Sequence, residues 1–129
     1  MTPVAWLRTS YWAGATADAV TGVLILIPGR MGETEFRYPM GLAAALMFGW
    51  TVLLLWADRN PVERKGVLLI TVFPVIVGLM LSGIWAVTAG LLPLARTIPS
   101  AIVGVGLIVL MLYSYLNARH LRLHEISDP

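Results

Sequence analysis

Four apolar runs, at about residues 10–28, 40–57, 66–92 and 98–117, occupy most of the chain, and the polar residues gather in the short stretches between them. A helix rises ~1.5 Å per residue, so ~20 apolar residues cross a hydrocarbon core of ~30 Å, and each run comes near or past that length. The pattern predicts an all-α integral membrane protein: four transmembrane helices in an antiparallel bundle, a single domain over 1–129, with a polar tail over 118–129. Connections this short join spatial neighbours, and none is long enough to fold as a second unit.

Helix punctuation sharpens these bounds. Thr2-Pro3 offers an N-cap followed by proline at the first helical position, so the first helix is expected to begin ahead of its apolar run. It then enters the membrane past Trp6, Arg8, Tyr11 and Trp12, an interfacial belt, and stops at Pro28-Gly29. The segment PGRMGETEFRY is the one sizeable polar connection and reads as a solvated loop, with Arg30, Glu33, Glu35 and Arg37 in near balance. Pro39 suits the first turn of the second helix, which runs to Trp56. Asn60-Pro61-Val62-Glu63 supplies a cap, a proline at the first helical position and a glutamate at the third, which predicts that the third helix begins there. Pro74 predicts a bend within that helix, since the carbonyl of Ile70 loses its usual donor. Pro93 to Pro99 reads as a short turn carrying Arg96 ahead of the fourth helix.

The first run is the least uniform of the four, because Asp18 stands in its interior. A charged side chain near the bilayer centre costs at least ~2.5–3.5 kcal/mol on insertion scales, so the helix is expected to turn Asp18 toward protein or water. At helical spacing its neighbours are Gly14, Thr21, Gly22 and Ile25, and small residues there let another backbone approach. Gly14, Asp18, Thr21 and Gly22 therefore form the candidate intramembrane site. Two roles suit the carboxylate: a structural acceptor bonded across the bundle, or a group that binds a proton or cation.

Small residues recur every fourth position in two other places. Gly41, Ala45 and Gly49 do so in the second run, and Gly78, Ser82, Ala86 and Gly90 in the third. Each row is expected to be a helix-packing face, against a neighbour within the chain or against a second subunit.

Composition narrows the chemistry. The chain is 58% hydrophobic and 12% charged, with a mean hydropathy of +0.81, which belongs to membrane proteins and not to soluble domains. The absence of cysteine removes thiolate nucleophiles, disulfide exchange and iron–sulfur ligation. His120 and His124, spaced i and i+4 beside Glu125, are two ligands at most, so no metal or other cofactor is expected; with Arg119 and Arg122 the tail suits lipid headgroups. A net charge of +2 from scattered residues makes no nucleic-acid surface. Six of the nine basic residues (Arg8; Arg59, Arg64, Lys65; Arg119, Arg122) fall on the side of the termini and the second connection, against three (Arg30, Arg37, Arg96) on the other, which predicts both termini in the cytoplasm and a multi-pass location in the cell membrane.

Three function classes follow. The first is a structural or interaction module that packs through its small-residue faces, with lipids and a second copy or another membrane protein as partners. The second is a small proton- or cation-coupled transporter or channel subunit that uses Asp18. In layout, with four short spans and one acidic residue in the first, the chain resembles the small multidrug-resistance transporters; the likeness is one of architecture and carries over no residue, and because four helices enclose little space this reading requires a homodimer or larger assembly. The third is an enzyme. The spans offer Thr16, Thr21, Thr71, Ser82 and Thr88 beside Asp18, but no His, Cys, Lys or second carboxylate to activate them, so this class is the weakest.

Overall fold

In the computed structural model, residues 1–31 and 37–121 are described, with the backbone alone at Arg30 and Met31, and among the described residues the regular structure is helical without strands. Four long helices carry the fold: α1 (Pro3–Leu26), α2 (Arg37–Asp58), α3 (Gly66–Thr88) and α4 (Leu94–Ala118). A single helical turn, Pro28–Met31, follows α1. Three of the four, α2, α3 and α4, are long and apolar enough to cross a membrane, the architecture of a multi-pass membrane protein. With 24 residues α1 has the length, but its hydroxyls, glycines and Asp18 dilute its apolar side chains.

The helix ends depart from the sequence pattern in instructive ways. The first is as expected: Thr2 caps α1 by accepting the amide proton of Ala5 at 3.2 Å, and Pro3 follows at the first position. At its other end Ile27 is extended, as a residue before proline prefers. The capping arrangement at Asn60 does not start α3. Residues 61–65 form turns, with one helical bond from the Arg64 amide to the Asn60 carbonyl (3.0 Å), and the helix proper begins at Gly66. Tyr11 intervenes here by donating its hydroxyl to the Arg64 carbonyl at 2.9 Å, with the Pro61 carbonyl at 3.5 Å. Nor is Pro93 to Pro99 a free turn: α4 begins at Leu94 and runs through Pro99. Finally, α3 stops at Thr88 and not at 92. The Leu91 amide bonds back to the Ala86 carbonyl and the Gly90 amide to Val87, a Schellman closure that requires the left-handed Gly90 (φ 72°).

Pro74 produces a change of register inside α3. Residues Thr71–Ile76 form π-helix, shown by the Val77 amide bonding to the Val72 carbonyl five residues back. In that register the carbonyl of Ile70 pairs with the amide one residue beyond the proline, so the insertion answers the donor that Pro74 lacks.

Successive helices run antiparallel. α1 lies most extensively against α2, α4 crosses α1 near one end, and α3 packs on α4. The core gathers at that end, which holds the α2–α3 turn: Leu7, Tyr11, Leu54, Leu68, Val72, Met111 and Ala118 are buried together. Toward the opposite end the packing thins, and the stretch Val77–Thr88 has no buried residue.

Candidate functional site

Asp18 lies on the centre line of the buried face of α1. Leu7, Ser10, Tyr11, Gly14, Ala15 and Gly22 are buried, and at 100° per residue they fall with Asp18 inside one stripe roughly 140° wide. The two glycines of that stripe are filled by their neighbours. A Cβ at Gly14 would meet Met111 Cε at 2.6 Å and Leu54 Cδ1 at 3.0 Å, while one at Gly22 would meet the Phe48 ring at 3.0–3.3 Å. Between them Asp18 is half-buried, and its Oδ2 is enclosed without a hydrogen-bond partner among the described residues. Thr51, which reaches over from α2, directs its hydroxyl to the Met47 carbonyl at 2.9 Å, with the Ala15 carbonyl at 3.5 Å. A shallow recess next along α1, lined by Ala19, Val20, Val23 and Leu24, is apolar.

Thr21 does not join the site. It is exposed, because the flank of α1 that α4 covers at Ser10 and Gly14 is uncovered further along. By Gly104 the small position of α4 is met by Met80 and Ile76 of α3 instead of by α1. Asp18 thus stands where α1 and α4 begin to part, on the boundary between the packed and the open ends.

The two rows of small residues behave differently from Gly14 and Gly22. Apart from adjoining residues and the helix's own backbone, no atom of the described residues lies within 4 Å of a Cβ built at Gly41, Gly49, Gly78 or Gly90, and Ala45 and Ser82 are exposed, with Ala86 half-buried. Among the described residues no neighbouring helix fills these glycine positions; α1 meets α2 at Phe48, Thr51 and Leu54. Ser82 bonds only to its own helix, at the Gly78 carbonyl (2.9 Å), and Gly90 is accounted for by the helix closure.

Polar bonding is concentrated at the turn end, where the sequence suggests only belt and topology residues. Ser10 and Ser114 face each other in the core with their hydroxyl oxygens 2.6 Å apart, and Ser114 also reaches the carbonyls of Leu110 (2.8 Å) and Trp6 (3.0 Å). Trp6 stacks edge-to-face on Tyr113 at 5.1 Å. Lys65 donates to the carbonyls of Ala118, Arg119 and Leu121 at 3.0–3.2 Å, so a side chain of the turn caps the last helix and sits at the negative end of its dipole. Arg64 stacks over the Trp56 ring at 3.4 Å. Deeper in, the Trp50 indole donates to Thr71 Oγ1 at 3.1 Å, and Thr71 donates to the Val67 carbonyl at 2.8 Å, bracing the start of the π-turn.

Sequence reasoning overlooks this network because each member has a commoner explanation. Serine in a span reads as a small packing residue, and Lys65 in a connection reads as a topology charge. The usable signal is the pairing of Lys65, just before a helix, with a last helix whose final turn lacks a basic residue of its own. Glu33, Glu35, Arg122, His124, Glu125 and the side chain of Arg30 lie outside the described residues; His120 accepts a bond from Arg119 Nε at 2.9 Å, and the described residues hold no group of three metal-ligating side chains.

No protein-family model, curated protein or solved structure matches the chain.

Proposed function

We propose that the chain is a four-span protein of the cell membrane whose role is association: it packs a second copy of itself, or another membrane protein, against the outward rows Gly41/Ala45/Gly49 and Gly78/Ser82/Ala86. Both termini and the turn from Asp58 to Lys65 then lie in the cytoplasm. The observation that carries this reading is the contrast among glycines. Gly14, Gly22 and Gly104 are occupied by side chains of the same chain, whereas Gly41, Gly49 and Gly78, like Gly83 and Gly106, meet no side chain among the described residues. A lipid-facing helix gains nothing from a bare row, but an approaching backbone does, because association in a bilayer depends on close van der Waals contact. α1 crosses as the fourth span in this reading, with Asp18 held against the other helices.

A second reading has one observation in its favour. The enclosed, unpartnered Oδ2 of Asp18 is costly in a bilayer unless a proton, a cation or water meets it, and carboxylates in spans commonly serve ion or proton pathways. A small transporter or channel subunit would use Asp18 in that way, as an oligomer.

The test compares size and flux. The full chain and its Ala45→Leu/Gly49→Leu variant are sized in mild detergent and reconstituted in vesicles with a proton-sensitive dye. Association predicts an oligomer that the double variant reduces to monomer, with no pH- or cation-gradient flux in either. Flux that disappears with Asp18→Asn would establish the second reading instead.

A further inference from the structure

We propose that the cluster formed by Arg8, Trp12 and Arg59 around Asp58 binds the phosphate of an anionic phospholipid at the cytoplasmic rim. The proposal rests on the membrane reading above, which puts this end of α1 and α2 at the interface. Three observations lead to it. First, the cations of the turn end divide into two sets. Lys65 is committed to the end of α4 and Arg64 to the Trp56 ring and carbonyl, while Arg8 and Arg59 are exposed. Second, antiparallel packing of α1 on α2 brings Arg8 to Asp58, and Arg59 follows Asp58 in the chain as an exposed turn residue, so two cations from different parts of the chain lie at this end of the bundle. The Arg8–Asp58 contact is long (3.9 Å) and the Arg8 side chain 58% exposed, which leaves the guanidinium donors free for an anion. One carboxylate also cannot neutralise two guanidinium groups.

Third, Trp12 adds an amphipathic edge. Its indole N–H points to Asp58 Oδ2 at 3.3 Å, and 57% of the residue is exposed, the placement of an aromatic at headgroup level. The carboxylate holds the indole in place, and the planar guanidinium donors of the exposed Arg8 suit phosphate oxygens. A lipid is the occupant favoured over a free anion because the apolar flank of α1 and α2 continues from this end, where Val20, Val23 and Leu55 are exposed to accept acyl chains.

Native mass spectrometry on the full chain, released from detergent mixed with equal phosphatidylglycerol and phosphatidylcholine, reads the preference directly. Each basic residue near an anionic headgroup contributes roughly fivefold, so Arg8→Gln and Arg59→Gln singly should lower the retained ratio of phosphatidylglycerol to phosphatidylcholine by about that factor, and the double variant should abolish it. Arg96→Gln, at the opposite end, should leave the ratio unchanged. Helicity of each variant is checked by circular dichroism, and the two single variants keep the test alive if the double fails to fold. Equal retention of both lipids by the native chain overturns the proposal, as does a preference that survives in the double variant. Displacement of phosphatidylglycerol by millimolar inorganic phosphate overturns it in favour of a free-anion site. Labelling of Glu63→Cys with an impermeant reagent in sealed cells separates the two levels: protection with no lipid preference sinks only the headgroup site, and labelling from outside sinks the membrane orientation with it.

Discussion

At the scale of single residues, the fold distinguishes glycines that look alike in sequence. Gly22 faces the Phe48 ring, 3.0–3.3 Å from where a Cβ would stand, and Gly49 faces no side chain among the described residues. Gly22→Leu should therefore destabilise the chain by about 1–3 kcal/mol through overpacking, while Gly49→Leu should keep the thermal midpoint of the dispersed monomer in detergent. Equal losses would show that the Gly49 row is packed within the chain. Asp18 yields a second prediction. Because its Oδ2 has no partner among the described residues, neither Asp18→Asn nor Asp18→Leu removes a bond to that oxygen from them, and both should match or exceed the parent in thermal stability. A loss on the order of 1–3 kcal/mol in Asp18→Leu alone would reveal a donor pairing with the carboxylate. The inward direction of Asp18 was readable from the cost of a charge in a bilayer, as was the company of Gly14 and Gly22. The exposure of Thr21 was not, since it depends on where α4 leaves α1, a property of tertiary packing that helical spacing cannot express.

Elements show the same division. The Thr2 cap and the existence of four helices follow from local rules, which act within a few residues and need no partner. The failed start at Asn60 does not, because Tyr11, distant in sequence, takes up the carbonyls of the turn. The π-turn lies between these cases: Pro74 signals that a bond is missing, but not that the chain inserts a residue rather than kinking. Tertiary bonding also fixes the end of α4, where Lys65 supplies the cap. Lys65→Met, which keeps the apolar stem and removes the donors, should free the carbonyls of Ala118, Arg119 and Leu121 and lower stability by on the order of 1 kcal/mol. Amide exchange over 118–121 checks it: exchange faster in the variant is expected, and unchanged exchange would mean that the cap does not hold the helix end.

For the molecule as a whole, the bundle is tight where four helices meet the Asp58–Lys65 turn and loose at the far end, so two properties separate along its length. The tight end is bonded through Ser10, Tyr11, Lys65 and Ser114; the loose end leaves apolar and small side chains uncovered by the described residues. Orientation is checked with single cysteines, which the cysteine-free chain accepts without background. Arg96→Cys should react with an impermeant reagent from outside and Glu63→Cys should not; the reverse pattern would invert the topology. The most direct test of the central claim, that the chain associates through its outward rows, is disulfide cross-linking of Ala45→Cys in intact membranes. The account predicts a cross-linked dimer at Ala45 and none at Leu46, which is also exposed but stands about 100° round the helix from Ala45. A chain that stays monomeric at Ala45, or that cross-links equally at both positions, would contradict it.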